Sequence, residues 1–114
     1  MSVTIYHNPR CSKSRQTLAL LEENGVEPTV IKYLETPANE EQLRSLFKQL
    51  GLDHVRGMMR VKEDLYKELG LKQADDDALF AAMAENPKLM ERPIVVNNDQ
   101  AKIGRPPEQV LEIL

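Results

Sequence analysis

The first third of the chain alternates between strand and helix patterns. Apolar and polar side chains alternate over 3–6, and Asn8-Pro9 then breaks the run. From Ser12 onward the residues favour a helix that stops near Asn24-Gly25, and 29–34 form a second strand-like run. A strand, a helix and a strand within about thirty residues predict a parallel, right-handed βαβ unit.

The rest of the chain predicts several helices and then a hairpin. A helical stripe lies on the core side of the first of these helices, at Leu43, Leu46, Phe47 and Leu50. Further helical segments are predicted over 55–59, 62–69 and 76–85. A strand over 94–96, turn residues at 97–100 and a strand over 101–103 predict the hairpin. Pro106-Pro107 opens a last helix, with Val110, Leu111 and Leu114 expected to face inward.

Length and composition fit one globular domain over residues 1–114. The chain is 41% hydrophobic and 29% charged, and its net charge of −3 argues against nucleic acid as a partner. The N-terminus lacks a basic segment followed by an apolar one, and no apolar run approaches the length of a membrane span. We therefore expect a cytoplasmic protein with no membrane partner.

The strand-to-helix connection contains the single cysteine, Cys11. A helix N-terminus favours a thiolate and a bound anion, but it supplies only about 0.3–1 kcal/mol, against ~1.36 kcal/mol per pKa unit. Full ionisation therefore needs nearby cations, for which Arg10, Lys13, Arg15 and a charged or hydrogen-bonding His7 are the local candidates. The alternative is a buried, inert cysteine, but the basic surroundings favour a reactive thiol with a pKa below ~8.5.

A lone cysteine also limits the chemistry of the site. It has no partner for an internal disulfide, so a redox cycle at Cys11 requires a thiol from outside the chain. One cysteine and two distant histidines, His7 and His54, match none of the usual zinc spacings, so we expect no metal. His7 either orients the thiolate or is an ordinary core or loop histidine.

Three arginines outside this loop stand beside chain breaks or element ends. A hairpin that turns at Asn98-Asp99 places Arg92 opposite Arg105. Like charges opposed across strands are destabilising, so this pairing suits a bound anion, although two solvated or salt-bridged arginines would also fit. Arg60 alone fits a surface arginine beside core methionines.

Several motifs, taken together, resemble the ArsC family, the glutaredoxin-coupled arsenate reductases, and particularly its short branch of YfgD-like proteins. The motifs follow one another along the chain: Ile5-Tyr6-His7-Asn8-Pro9, Cys11, Ser14-Arg15, Tyr33-Leu34-Glu35-Thr36-Pro37, Lys67-Glu68-Leu69-Gly70-Leu71, Arg92-Pro93-Ile94-Val95-Val96, Arg105-Pro106-Pro107-Glu108 and Val110-Leu111-Glu112-Ile113-Leu114. The resemblance implies an α/β, thioredoxin-like fold with a four-stranded mixed sheet, flanking helices and a helical insertion after the first βαβ unit.

The same resemblance implies the chemistry. Cys11 would attack arsenate and His7 would assist its thiolate. Substrate binding would fall to five residues: Arg60, Arg92, Arg105, Ser14 and Arg15. No cofactor would be bound. Glutathione would be the co-substrate that attacks the cysteine-bound arsenic, and glutaredoxin would resolve the mixed disulfide as arsenite is released. The place of Pro93 also implies a cis bond after Arg92.

Some features separate the chain from its relatives and rivals. The best-known arsenate reductases carry Cys-Gly-Thr-Ser-Arg, whereas this loop reads Cys11-Ser12-Lys13-Ser14-Arg15, with Arg10 in place of a small residue. The added bulk and charge leave open another oxyanion as substrate, or an oxyanion-binding protein with little reductase activity. Low-molecular-weight tyrosine phosphatases need an arginine at position 17, which is Thr17 here. A non-enzymatic, Spx-like regulator that binds RNA polymerase would carry a second cysteine at position 14, which is Ser14.

Overall fold

A computed structural model describes residues 3–114 and contains four strands and four α-helices. The elements in chain order are β1 Val3–Tyr6, α1 Ser12–Glu23, β2 Thr29–Ile31, α2 Glu40–Leu50, α3 Asp64–Glu68, α4 Asp76–Glu85, β3 Ile94–Asn97 and β4 Gln100–Ile103. Short 3₁₀ segments complete the chain: Val55–Met58, Leu71–Gln73, Pro87–Leu89 and Pro107–Ile113. No helix within residues 3–114 is long and apolar enough to cross a membrane.

The strands form one mixed sheet in the order β2-β1-β3-β4. β1 and β2 are parallel, which confirms the predicted parallel pairing of the βαβ unit, and β3 is antiparallel to both β1 and β4. In the hairpin Ile94 lies opposite Ile103 and Asn97 lies opposite Gln100. This is the register that the turn at 98–99 predicted.

Each face of the sheet packs on a separate apolar cluster, because alternate residues of a strand point to opposite faces. On one face Val3, Ile5 and Val95 pack with α1 and the C-terminal 3₁₀ segment. On the other face Ile94 packs with the helical insertion, residues 40–89, which holds the larger cluster. The insertion follows the first βαβ unit, as the sequence predicted.

Arg56 connects several segments of the insertion through hydrogen bonds. Its Nε donates to the Tyr66 hydroxyl at 2.8 Å, and its Nη2 donates to the carbonyls of Leu71 at 2.7 Å, Lys72 at 3.0 Å and Ala74 at 2.9 Å. One guanidinium thereby provides hydrogen bonds to three backbone carbonyls of residues 71–74, which lie outside the α-helices. Its role is to hold the insertion together.

The prediction for the last helix was wrong in its inward face. Pro107–Ile113 is a 3₁₀ helix, in which side chains three residues apart share a face. Pro107, Val110 and Ile113 are therefore buried, whereas Leu111 and Leu114 are exposed.

The sheet topology brings four chain segments to one edge. Tyr6 at the end of β1 pairs with Ile31 at the end of β2 and with Ile94 at the start of β3. Ile94 also pairs with Ile103 at the end of β4. The cysteine loop, residues 32–33, Arg92-Pro93 and Gly104-Arg105 therefore all lie at this edge.

Candidate active site

Cys11 lies at the N-terminus of α1, as the pattern predicted. It is the N-cap residue, and its carbonyl accepts the first helical hydrogen bond, from the Arg15 N–H at 3.0 Å. The thiol is partly exposed, so an external molecule can reach it. The backbone N–H groups of the first turn face a thiolate at this position.

The pKa of the Cys11 thiol is lowered from its ordinary value. Burial acts in the opposite direction and is the largest single effect, but it is outweighed by four groups acting together. These are the backbone N–H of Ser14, the charge of Arg92, the backbone N–H of Lys13 and the charge of Arg105. The site therefore favours the nucleophilic thiolate.

The sequence-based assignment of the stabilising cations was wrong. The side chains of Arg10, Lys13 and Arg15 do not appear among the groups that lower the Cys11 pKa. Lys13 contributes its backbone N–H, and the guanidinium of Arg15 turns away to donate to the Pro9 carbonyl at 2.9 Å. The effective charges come instead from Arg92 and Arg105, which the fold brings from the far end of the chain.

His7 contacts the serine of the loop rather than the cysteine. It is buried at the end of β1, and its Nδ1 lies 2.7 Å from Ser14 Oγ. Ser14 Oγ also accepts the Asn8 N–H at 3.0 Å. Burial, together with the charges of Lys32 and Arg15, lowers the pKa of His7, so the imidazole is neutral at pH 7. His7 and Ser14 thereby fix the strand-to-helix loop that carries Cys11.

Arg105 reaches the thiol directly. Its Nη2 donates to Cys11 Sγ at 3.7 Å, and its Nε donates to the Arg92 carbonyl at 2.9 Å. Arg92 and Arg105 thus face each other at the open end of the hairpin, where the register placed them. The Arg92–Pro93 and Arg105–Pro106 bonds are both cis, the first of which the resemblance implied.

Arg92 has a buried donor without a partner. Its Nε is fully buried and makes no hydrogen bond within residues 3–114. A buried donor of this kind is costly to leave unmatched, and guanidinium groups suit planar or tetrahedral oxyanions. This nitrogen is covered by protein, so an anion in the cleft meets Arg92 through other atoms of its side chain.

Arg60 joins these two arginines along one cleft of about 320 Å³. The cleft is lined by Met59, Arg60, Val61, Lys62, Glu63, Glu91, Arg92 and Arg105. A β-bridge between Met59 and Met90 places Arg60 there, with the Arg60 N–H bonded to the Leu89 carbonyl at 2.7 Å. The described residues contain no group of three or more histidine, cysteine or acidic side chains that could hold a metal.

A comparison with protein-family models now identifies the family. Residues 6–113 match the ArsC family, which covers almost the whole chain. The chain belongs to the ArsC family. The fold described above is the thioredoxin-like ArsC fold, with its mixed four-stranded sheet and flanking helices.

Relatives within the ArsC family align along nearly their full length. An arsenate reductase of Haemophilus influenzae is 57% identical, and the match covers 100% of both chains. The protein YfgD of Escherichia coli K12 is 66% identical over 98% of this chain and 96% of its own length. A solved structure described as an arsenate reductase from Vibrio cholerae is 71% identical, with a TM-score of 0.98 over 100% of this chain and 98% of that one.

The ArsC site of this chain also contains a buried tyrosine that the sequence reasoning missed. Tyr33 is 2% exposed, and burial raises its pKa, while the charges of Arg92 and Arg60 lower it and that of Cys11 raises it further. The Asn8 side chain also lowers the pKa of this hydroxyl. Tyr33 lies two residues after the end of β2, at the sheet edge that also holds the cysteine loop. Its place near the end of the predicted strand run was the available signal.

Two carboxylates in the cleft were also missed. Glu63 Oε2 lies 3.1 Å from Arg60 Nη1, and Glu91 Oε2 lies 3.5 Å from Arg105 Nε. Glu91 immediately precedes Arg92, which was the only signal that the chain offered for it.

Proposed function

We propose that this protein reduces arsenate to arsenite with the Cys11 thiolate as nucleophile. The observation that best supports this proposal is the partly exposed thiol at a helix N-terminus. Arg105 Nη2 lies 3.7 Å from its sulfur, and the backbone N–H groups of Ser14 and Lys13 together with the charges of Arg92 and Arg105 lower its pKa. A thiolate beside guanidinium donors is suited to attack a bound oxyanion. Relatives that carry the name arsenate reductase support arsenate as that oxyanion.

The site residues divide into three roles in this proposal. Arg60, Arg92 and Arg105, which line one cleft, bind the oxyanion. Ser14 and neutral His7 hold the loop so that the thiolate faces the anion. Arg15 braces the same loop through the Pro9 carbonyl, and the N–H groups of the first helical turn complete the anion site.

In the first step a sulfur–arsenic bond forms and one arsenic–oxygen bond breaks, and the departing oxygen leaves as water after protonation. Glutathione then attacks the cysteine-bound arsenic: a second sulfur–arsenic bond forms, a second arsenic–oxygen bond breaks, and its oxygen leaves as water. Both sulfur–arsenic bonds then break as a sulfur–sulfur bond forms between Cys11 and glutathione. Arsenic keeps the remaining electron pair and leaves, after taking up water, as arsenite. Glutaredoxin reduces that disulfide and restores Cys11. Because the chain holds one cysteine, these reducing thiols must come from outside it. The glutathione pool places this cycle in the cytoplasm.

A reductase assay that measures arsenite release tests the proposal. We expect activity that requires both glutathione and glutaredoxin, and that falls to background in Cys11→Ser. Ser12→Ala, which changes the neighbouring exposed residue, is the matched control and should keep its activity. No arsenite release with any thiol combination, from folded protein that still binds oxyanions, would reduce the function to oxyanion binding.

A further inference from the structure

Carboxylates accompany two of the three arginines along the cleft. Glu63 pairs with Arg60 at 3.1 Å, and Glu91 pairs with Arg105 at 3.5 Å. An oxyanion that binds these arginines therefore lies beside negative charge. Carboxylates repel a fully deprotonated anion, and they accept a hydrogen bond from an anion that keeps a proton.

The two carboxylates differ in how many oxygens are left to accept a hydrogen bond from a ligand. Glu63 uses both oxygens, because its Oε2 faces Arg60 and its Oε1 lies 3.5 Å from Lys88 Nζ. Glu91 uses only Oε2, toward Arg105. Within residues 3–114 no hydrogen bond or ion pair engages Glu91 Oε1.

Glu91 is also the carboxylate on the side of the thiol. Its partner Arg105 is the guanidinium that donates to Cys11 Sγ at 3.7 Å. The residue is only partly exposed, and its backbone N–H is fixed to the Met58 carbonyl at 2.8 Å. An anion bound between Cys11, Arg92 and Arg105 therefore lies next to the Arg105–Glu91 pair, in which Oε1 is the acceptor left for a ligand.

We propose that Glu91 makes this site selective for oxyanions that keep a proton at neutral pH, and against sulfate. Arsenate and phosphate carry a hydroxyl that can donate to Glu91 Oε1, whereas sulfate has no proton to donate and meets only repulsion. The inference rests on the oxyanion site proposed above, and it names the substrate class of that site. It assigns Glu91 to recognition and no step of electron transfer to it.

Titration of the full chain with inorganic phosphate and with sulfate at pH 7 tests this proposal by calorimetry. Neither anion is reduced by thiols, so the binding ratio is measured independently of any reductase activity. A charge-assisted hydrogen bond predicts that the wild type binds phosphate at least about tenfold more tightly than sulfate. In Glu91→Gln the amide can donate to sulfate, and the ratio should fall to about one.

Glu63→Gln is the matched control, since it removes the same charge from the same cleft but from a carboxylate whose oxygens are both paired. Its ratio of phosphate to sulfate affinity should stay at the wild-type value, even if both anions bind more tightly. A merely positioning role for Glu91 would change both affinities and leave their ratio unchanged, which would overturn the proposal. A wild-type ratio of phosphate to sulfate affinity near one would also overturn the proposal, and that result needs no variant. An equal loss of selectivity in Glu63→Gln would overturn it as well. A lost ratio in Glu91→Gln alone, with no arsenite release from the wild type, would support the selectivity and reject only the reduction.

Discussion

Cys11 receives its charge stabilisation from groups that are far apart in the chain. Burial raises the pKa of the thiol, and two backbone N–H groups with Arg92 and Arg105 more than compensate. We therefore expect the rate of Cys11 alkylation to rise with pH to a midpoint below ~8.5, the value of a free thiol. Replacing both Arg92 and Arg105 with alanine should move that midpoint upward. Iodoacetamide labelling followed by mass spectrometry measures both.

Arg10→Ala is the control for this titration. Arg10 adjoins Cys11 in the chain, yet its charge is not among the groups that lower the thiol pKa, so the midpoint should not move. A wild-type midpoint at or above ~8.5 would contradict an activated thiolate. If Arg10→Ala raised the midpoint as much as the double variant does, the cations next to Cys11 in the chain would be the groups that lower its pKa.

The individual residues show what sequence proximity can and cannot predict. The helix-end position of Cys11 follows from local patterns and was confirmed. The direction of a long side chain does not follow from those patterns, and Arg15 turns to the Pro9 carbonyl instead of the thiol. Tyr33 and Glu91 were missed for the same reason, because their importance arises only from what the fold places beside them.

At the scale of elements, Gly104 sets how closely the end of β4 approaches α1. A Cβ at this position would lie 2.6 Å from Thr17 Oγ1 and 2.9 Å from Pro93 Cγ. Thr17 is buried and its hydroxyl is bonded to the Lys13 carbonyl, so it cannot withdraw easily. We expect Gly104→Ala to lower the free energy of unfolding by about 1–3 kcal/mol, as overpacking does. Urea denaturation measures this change, and weaker phosphate binding should accompany it because Arg105 is the next residue.

Gly57→Ala provides the comparison for Gly104→Ala. The three atoms nearest to its added Cβ all belong to Leu52, and the nearest, at 3.2 Å, is at the flexible end of that side chain. The loss of stability should therefore be well below that of Gly104→Ala, and phosphate binding should not change. Equal losses in the two variants would mean that the contact with Thr17 and Pro93 does not limit the packing.

The helices and strands that depend most on local residue spacing were predicted most accurately. The hairpin register was predictable because the turn residues at 98–99 fix which residues face each other. The first strands were predictable from alternation, although β2 ends at Ile31, earlier than expected. The inward face of the last helix was not predictable from alternation. The segment is a 3₁₀ helix with 3.0 residues per turn rather than an α-helix with 3.6, and Leu111 and Leu114 are therefore exposed.

At the scale of the whole molecule, the proposed anion site joins two parts that are otherwise held by packing and a small β-bridge. Arg60 comes from the helical insertion, and Arg92 and Arg105 come from the hairpin. The sequence predicted that the two hairpin arginines would face each other, because turn geometry carries that information. Spacing alone could not predict the approach of Arg60, which depends on how the insertion docks through Met59 and Met90, and only the family resemblance implied it.

An anion held by both parts should therefore stabilise the entire fold. Binding to the native state alone adds about 2.7 kcal/mol when the ligand is present at a hundred times its Kd, which corresponds to a Tm increase on the order of 10 °C for a chain of this size. We expect phosphate to raise the Tm of the wild type in this way. The increase should be much smaller in Arg92→Ala and Arg105→Ala, as measured by differential scanning calorimetry.

Lysine replacements separate geometry from charge in this experiment. Arg92→Lys and Arg105→Lys keep the positive charge but lose the guanidinium fork, so they should recover little of the phosphate-dependent increase in Tm. Arg44→Ala is the control, because Arg44 pairs with Asp77 on the outer side of the insertion and its loss should leave the increase intact. If phosphate stabilises the Arg92→Ala, Arg105→Ala double variant as much as the wild type, these arginines do not form the anion site. If lysine restores the full increase, charge alone holds the anion and the paired guanidinium geometry has no role in binding.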